Sequence, residues 1–232
     1  MSEKLHDRNE AGRLLAEQLS ALERNPDVIV LGLPRGGVPV ACGIATALRL
    51  PLDVFLVRKL GVPGYEELAM GAIASGGIEI VDPDVVEEFR LSRKDVERVA
   101  AEETLELRRR ETVFRGIRPA LNLRRRTVVL VDDGIATGST VRAAIEGVKR
   151  LGAARIIVAA GVAPLSTCLI LRREADEVVC LLTRGISTRW ALSMKSSRNS
   201  VMRRFAACSK ERGEQARVSR HENLTPGRKQ RV

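Results

Sequence analysis

The sequence predicts an α/β fold in which a doubly wound, mostly parallel sheet is flanked by helices and carries a small hood element. Short apolar runs rich in Val, Ile and Leu recur along the chain, and segments with helical periodicity separate them. The runs are apolar throughout rather than alternating with polar residues. Strands of this kind are covered on both faces, as in a parallel sheet between two layers of helices.

The predicted elements alternate along the chain. The first helix is predicted over 8–23, where leucines recur near i, i+4 spacing. Further helices are predicted over 38–49, 92–115 (with Ser92 as the N-cap), 138–151 and 164–174. Strands are predicted over 28–33, 52–57, 127–132, 155–162 and 177–182. The glycine-rich stretch 61–81 is predicted as a loop with a hairpin or small hood element.

Charge divides the chain into two parts. The 232 residues carry a net charge of +10, and residues 184–232 hold 13 Lys/Arg against 3 Asp/Glu. Residues 1–183 are therefore balanced, with 26 basic and 26 acidic side chains. We predict one domain over 1–183 and a basic tail, disordered or irregular, over 184–232. A neutral domain argues against nucleic-acid binding, which would be limited to non-specific contacts of the tail.

Composition also bears on location. No apolar run approaches the ~18 residues that cross a bilayer, and the charged N-terminal stretch does not resemble a secretory signal. The four cysteines, Cys42, Cys168, Cys180 and Cys208, are scattered without CxxC pairs or the spacing of a disulfide framework. These features predict a cytoplasmic protein with no membrane partner.

The most informative stretch is "VVLVDDGIATGST", residues 128–140. Asp132 and Asp133 follow a buried strand, at the edge of a parallel sheet where ligands bind. The turn that follows leads into a helix, whose first N–H groups attract phosphate. Carboxylates hydrogen-bond vicinal diols and help to hold Mg²⁺. A sugar with hydroxyls on one side and a phosphate on the other, such as ribose 5-phosphate, fits both halves.

This stretch closely resembles the phosphoribosyl-pyrophosphate (PRPP) motif of the type I phosphoribosyltransferases. The body of the chain, over about 8–183, resembles the subgroup of predicted phosphoribosyltransferases. The resemblance implies that Asp132 and Asp133 bind the ribose hydroxyls and, directly or through water, Mg²⁺. It also implies that the 5-phosphate is cradled by Ala136, Thr137, Gly138, Ser139 and Thr140. An ordinary strand-to-helix turn with Ser/Thr capping is the alternative. The chain has no GxxxxGK[ST] motif, which argues against a P-loop nucleotide site.

A second segment, "GLPRGGVPVA" (32–41), follows the first predicted strand, where this family has its pyrophosphate loop. The resemblance implies that Arg35, Gly36 and Gly37 bind pyrophosphate. Glycines allow the backbone to approach the ligand closely, and the arginine adds positive charge. A plain structural turn is the alternative for this segment.

A third segment, residues 57–77, follows the second predicted strand, where the family carries a mobile catalytic loop. The resemblance implies that Arg58 and Lys59 bind pyrophosphate and stabilise its departure, while the glycine-rich surroundings allow the loop to close. A solvated strand end is the alternative for these two residues.

The resemblance implies a Mg²⁺-dependent phosphoribosyltransferase. Such an enzyme transfers the 5-phosphoribosyl group of PRPP to a nitrogen nucleophile, such as a nucleobase, and releases pyrophosphate, mainly by positioning and charge stabilisation. The family also implies a homodimer. Ala136 occupies the position where 6-oxopurine-specific members carry an aspartate, which disfavours that acceptor. The alternatives are a non-catalytic regulator of the same fold that binds PRPP or nucleotides, and a nucleic-acid-binding protein acting through the tail.

The tail departs from this resemblance. The relatives continue past the last strand with an aromatic and acidic segment resembling "FYAVG…EEF…SDEEV". Codons allowed for Gly185 to Phe205, read two bases later, can spell "HFYAVGAVDEEFPQLSDEEV". We therefore predict a reading-frame slip near codon 184, which would leave residues 184–232 without an evolved function.

Sequencing the locus tests this prediction. A corrected frame is expected to restore the aromatic and acidic segment. An intact gene that encodes the basic tail, together with relatives bearing the same tail, would contradict it.

Overall fold

The computed structural model describes residues 5–116, 118–183 and 208, so the predicted tail lies outside the described residues except for Cys208. The helices are α1 (Arg8–Gln18), α2 (Gly37–Leu48), α3 (Pro83–Glu88), α4 (Arg93–Arg115), α5 (Ser139–Arg150) and α6 (Leu165–Leu171), with a 3₁₀ turn at Ser20–Leu22. The strands are β1 (Val28–Gly32), β2 (Leu52–Val54), β3 (Val57–Val62), β4 (Tyr65–Ala74), β5 (Ile78–Val81), β6 (Thr127–Gly134), β7 (Arg155–Val162) and β8 (Glu177–Leu182).

Five strands form a parallel sheet in the order β2-β1-β6-β7-β8. Alternate residues of β6 enter two separate apolar clusters. Val129 and Val131 pack with α1, α2 and α4, whereas Val128 and Leu130 pack with α5 and α6. The sheet is therefore covered by helices on both faces, and the predicted fold class is confirmed.

Several predicted elements match the structure closely. Strands β7 and β8 have the predicted bounds, and α4 begins directly after Ser92. The Ser92 hydroxyl accepts from the Asp95 N–H at 3.2 Å, while the Asp95 carboxylate accepts from the Ser92 N–H at 3.0 Å. This reciprocal capping satisfies two N–H groups that the helix itself cannot bond, so the predicted N-cap is confirmed.

The second predicted strand, 52–57, begins at the predicted residue but ends early at Val54, because the chain leaves the sheet within it. Phe55 still donates its N–H to the carbonyl of Gly32, but Leu56 exchanges backbone and side-chain hydrogen bonds with Ser75. The chain then enters a separate antiparallel sheet of order β3-β4-β5. A continuous apolar run hides this change of partner, since Phe55 and Leu56 are both buried.

The predicted mobile loop at 57–77 is also corrected by this sheet. Strands β3 and β4 pair over most of that segment and meet at a tight turn, where Gly64 has a φ of +81°. The hairpin predicted within 61–81 is present, and most of 57–77 forms paired strands instead of a loop. Backbone pairing holds Arg58 and Lys59 opposite Ile73 and Ala72.

One pair of cysteines was not indicated by the sequence. Cys42 on α2 and Cys208 are joined as a disulfide across 166 residues of sequence. The Thr46 hydroxyl lies 3.4 Å from the Cys208 sulfur. Such a long separation leaves no local spacing that could have indicated the pair. Among the described residues, no helix is both long and apolar enough to cross a membrane.

One ion pair ties the end of α4 to the main sheet. Arg115 donates through Nε and Nη2 to the two carboxylate oxygens of Asp53 on β2, each at 3.1 Å. The two side chains are only 10% and 12% exposed. A forked pair of this kind is fixed in geometry, and removing one partner leaves a poorly solvated charge.

We expect Asp53→Asn to lower the free energy of unfolding by about 3–5 kcal/mol, because the Arg115 guanidinium loses its charged partner. Urea denaturation followed by circular dichroism measures this. Glu102→Gln is the matched control, since Glu102 pairs with Arg98 on the exposed face of α4, and should change stability by less than about 1 kcal/mol. Equal effects of the two substitutions would contradict this account.

Candidate active site

The acidic pair lies within the last three residues of strand β6 rather than beyond it. Strand β6 extends to Gly134, and Asp132 is in register with Ala160 of β7. Both aspartates are partly buried. The expectation that they follow the strand is therefore wrong, since β6 and β7 stay paired past them.

The two carboxylates differ in their surroundings. Burial raises the pKa of Asp132 well above its ordinary value, and the negative charge of Asp133 adds to the rise, while Arg8 opposes it. One Asp132 oxygen accepts from the Asp133 N–H at 2.9 Å. Keeping both adjacent carboxylates ionised therefore costs free energy, and burial increases that cost.

Asp133 is held by a residue that the sequence did not indicate. Arg8, the first residue of α1, donates to Asp133 Oδ2 from Nε at 2.9 Å and from Nη2 at 2.6 Å. The side chains are 14% and 13% exposed. The only signal in the sequence was an arginine in the first turn of a predicted helix, where the helix dipole disfavours a cation.

The predicted pyrophosphate loop lies directly on the end of β6. Leu33 donates its N–H to the Val131 carbonyl at 2.9 Å, and the Pro34–Arg35 peptide is cis. A Cβ added at Gly36 would collide with the Asp133 carboxylate, and one at Gly37 would collide with the Val131 carbonyl oxygen. These glycines are therefore required by close approach, and their backbone faces the acidic pair.

The predicted 5-phosphate cradle begins where β6 ends. Ala136, Thr137, Ser139 and Thr140 are exposed, and Gly138 is the N-cap of α5 with a φ of +83°. A glycine has no side chain with which to cap the first N–H groups of the helix. Those N–H groups and the neighbouring hydroxyls form the kind of helix end that binds phosphate.

Helix α6 holds this cradle from behind. The buried Thr167 hydroxyl donates to the carbonyl of Ala136 at 2.9 Å. A Cβ added at Gly138 would lie 2.9 Å from the Thr167 methyl group. Thr167 therefore fixes both the start and the centre of the loop, and the sequence did not indicate it.

Arg58 and Lys59 do not lie together, because consecutive residues of a strand point to opposite faces. Arg58 donates to Glu103 on α4, with both side chains about one quarter exposed. Lys59 is exposed and lines a cleft of about 530 Å³ between the antiparallel sheet and α5, where Ser139 also lies. Of the two, only Lys59 borders the same cleft as a residue of the phosphate cradle.

Arg35 borders a different cavity. This cavity of about 210 Å³ lies between the pyrophosphate loop and α4, and its lining includes Arg109, Arg110 and Phe114. The exposed Arg35 side chain therefore lies on the α4 side of the loop. The three predicted pyrophosphate cations thus have three different surroundings.

The metal prediction can be compared with the available donors. Within the described residues, no group of three or more His, Cys, Asp or Glu side chains is placed to hold a metal ion. Asp132 and Asp133 are two adjacent carboxylates, and Mg²⁺ is commonly held by one or two carboxylates together with substrate oxygens and water. The site fits an ion completed by substrate, and does not fit an all-protein magnesium cage.

Comparison with known proteins agrees with this geometry. The phosphoribosyl transferase domain matches residues 2–187 of the chain. The chain belongs to the phosphoribosyltransferase family. The predicted family and the phosphoribosyltransferase-like fold are therefore confirmed.

Relatives and solved structures extend the comparison. Two proteins of Mycobacterium tuberculosis, provisionally named phosphoribosyl transferases, are 45% identical over 180 residues, or 78% of this chain. The chain spans only 40% of the length of these curated relatives. The crystal structure of TT1426 from Thermus thermophilus is 38% identical, with a TM-score of 0.74, and the match covers 87% of this chain and 97% of TT1426.

We expect Thr167→Val to weaken binding of ribose 5-phosphate by up to about fivefold, because the loop that would hold the phosphate loses a hydrogen bond worth ~1 kcal/mol that keeps it ordered. The substitution keeps the shape of the side chain but leaves the Ala136 carbonyl without this donor. Isothermal titration calorimetry measures the affinity. Ser166→Ala is the control, since Ser166 is exposed on the same helix, and equal affinities of the two variants would contradict a role for Thr167.

Proposed function

We propose that the protein is a Mg²⁺-dependent phosphoribosyltransferase that transfers the 5-phosphoribosyl group of PRPP to a nitrogen nucleophile, most simply a nucleobase, with release of pyrophosphate. One observation carries the proposal. The backbone of Gly36 and Gly37 packs against the end of β6, and the exposed loop into α5 begins at the same strand end. Groups suited to pyrophosphate, a diol and a phosphate therefore follow one another around a single strand end.

Each part of PRPP has a matching group in this arrangement. We assign the 5-phosphate to the amides and hydroxyls of residues 137–140, and the ribose hydroxyls to Asp132 and Asp133. We assign the pyrophosphate to the backbone of residues 35–37. The anomeric carbon then lies between the diol and the pyrophosphate, where a nitrogen nucleophile displaces the leaving group. Catalysis of this kind depends on orientation and fixed charges rather than on a covalent nucleophile.

Magnesium has a limited role in this assignment. When bound, Mg²⁺ neutralises charge on the pyrophosphate and makes it a better leaving group. The chain would contribute Asp132 and Asp133, either directly or through water. The acceptor base, a homodimeric assembly and a cytoplasmic location remain predictions.

The proposal is tested by incubating the protein with PRPP, Mg²⁺ and a panel of nitrogenous bases and measuring pyrophosphate release. We expect release with at least one base. Release should be lower with 6-oxopurines, because Ala136 stands where the family members specific for those bases carry an aspartate. A well-folded protein that binds PRPP yet releases no pyrophosphate with any base would favour the non-catalytic regulator instead.

We expect Lys59→Ala to lower kcat by ~100-fold or more, in the range seen when one preorganised electrostatic group is removed. The affinity for PRPP should fall much less, because the phosphate cradle and the diol contacts remain. Lys149→Ala is the control, since Lys149 lines the same cleft from α5. A rate that is indifferent to Lys59→Ala would move the assignment to Arg58 and Arg35.

We expect Asp132→Asn to weaken binding of Mg-PRPP by about 1.5–3 kcal/mol, because an amide replaces a charged acceptor of the ribose hydroxyls. Calorimetry with Mg-PRPP measures the change, and thermal unfolding checks that the fold is intact. Asp176→Asn is the control, since its carboxylate accepts from the Ile156 N–H at the other end of β7. Unchanged affinity in a folded Asp132→Asn protein would rule out the ribose assignment.

A further inference from the structure

Arg8 is placed by the start of α1. Asp7 is the N-cap of this helix, and its Oδ1 accepts from the N–H groups of Asn9 at 2.7 Å and Glu10 at 2.8 Å. These bonds satisfy two N–H groups of the first turn and define where the helix begins. Because Arg8 directly follows the capping residue, the cap fixes its position at the start of the helix.

A close helix crossing brings this start to the site. A Cβ added at Gly12 of α1 would lie 2.9 Å from the Val40 carbonyl oxygen and 3.1 Å from the Cα of Gly43 on α2. The backbones of α1 and α2 are therefore in contact at Gly12 and Gly43, where neither residue has a side chain. Since α2 begins at the pyrophosphate loop, the crossing fixes α1 relative to that loop.

The contact between Arg8 and Asp133 has a specific geometry. Both of the guanidinium bonds described above use Oδ2, so Oδ1 takes neither of them. A Cβ at Gly36 would collide with the same carboxylate. Arg8, Asp133 and the pyrophosphate loop therefore meet at one point, although 125 residues separate the first two.

We propose that Arg8 is a positioning residue for PRPP. It fixes the Asp133 carboxylate through Oδ2, which leaves Oδ1, beside Gly36, to accept from a ribose hydroxyl. Its charge offsets one of the two carboxylates at a site that must accept a polyanion. This inference rests on the proposed function. Without Arg8, two adjacent partly buried carboxylates would repel the substrate phosphates in surroundings that screen charge weakly.

A double-mutant cycle on the full chain tests the proposal, with the Kd of Mg-PRPP measured by calorimetry. We expect Arg8→Gln to weaken binding roughly ten- to hundred-fold, because Asp133 loses the partner that orients and neutralises it. Arg8→Lys should recover part of the loss, because it keeps the charge but not the fork. In the presence of Asp133→Asn, Arg8→Gln should change Kd by less than about twofold, since its partner is already altered.

Arg13→Gln is the matched control, because Arg13 lies on the exposed side of the same helix and pairs with Glu17. It should leave Kd unchanged. Thermal unfolding of every variant separates binding from stability, and if Arg8→Gln fails to fold, Arg8→Lys is compared in the presence and absence of Asp133→Asn.

Two results would overturn the proposal. Equal losses from Arg8→Gln with and without Asp133→Asn would mean that Arg8 does not act through Asp133. A lower melting temperature with unchanged Kd would mean that the ion pair is only a structural tie. A wild-type protein that binds no Mg-PRPP would instead overturn the proposed function, and this inference with it.

Discussion

The backbone of the loop after β1 lies directly on the end of β6, and the candidate site takes its position from that contact. Leu33 bonds to the Val131 carbonyl, and the next two glycines leave no room for a side chain beside Val131 and Asp133. The parallel register of β1 and β6 aligns the two strand ends. Two loops that are about 100 residues apart in sequence therefore share one edge of the sheet, which is where open α/β sheets bind ligands.

This constraint has a consequence for stability. Asp132 is partly buried, its pKa is raised by burial and by Asp133, and the second acid is neutralised by an arginine from another helix. A fold selected only for stability would not place two acids at the end of an apolar strand. Such local cost is typical of functional sites, where the surrounding structure holds groups in an unfavourable arrangement.

The sequence was sufficient where local physics decides the structure. The bounds of β7 and β8 followed from continuous apolar runs, and Ser92 followed from capping chemistry. Prediction from the sequence failed where contacts with residues distant in sequence determine the structure. The exit of the chain at Leu56 depends on Ser75, and the location of Arg8 depends on a crossing of two glycines, Gly12 and Gly43. The segment 57–77 was expected to be a loop because the family resemblance implies one there, whereas backbone pairing holds most of it in strands.

The site residues show the same division. The acidic pair and the loop into α5 were recognisable because they are contiguous in sequence. Lys59 and Arg58 were treated as one unit for the same reason, yet strand alternation sends them to different surroundings. Thr167 and Arg8 were missed because each contacts the site through one long-range hydrogen-bonding partner. Contiguity thus locates a motif, but it does not identify the residues that hold the motif in place.

The most direct test of a single site at the end of β6 is a crystal structure of the chain with Mg-PRPP. This account predicts the 5-phosphate on the amides of residues 137–140, the ribose hydroxyls on Asp132 and Asp133, and the pyrophosphate on residues 35–37. Ligand density in the cavity beside Arg109 and Arg110, with the end of β6 uncontacted, would contradict it.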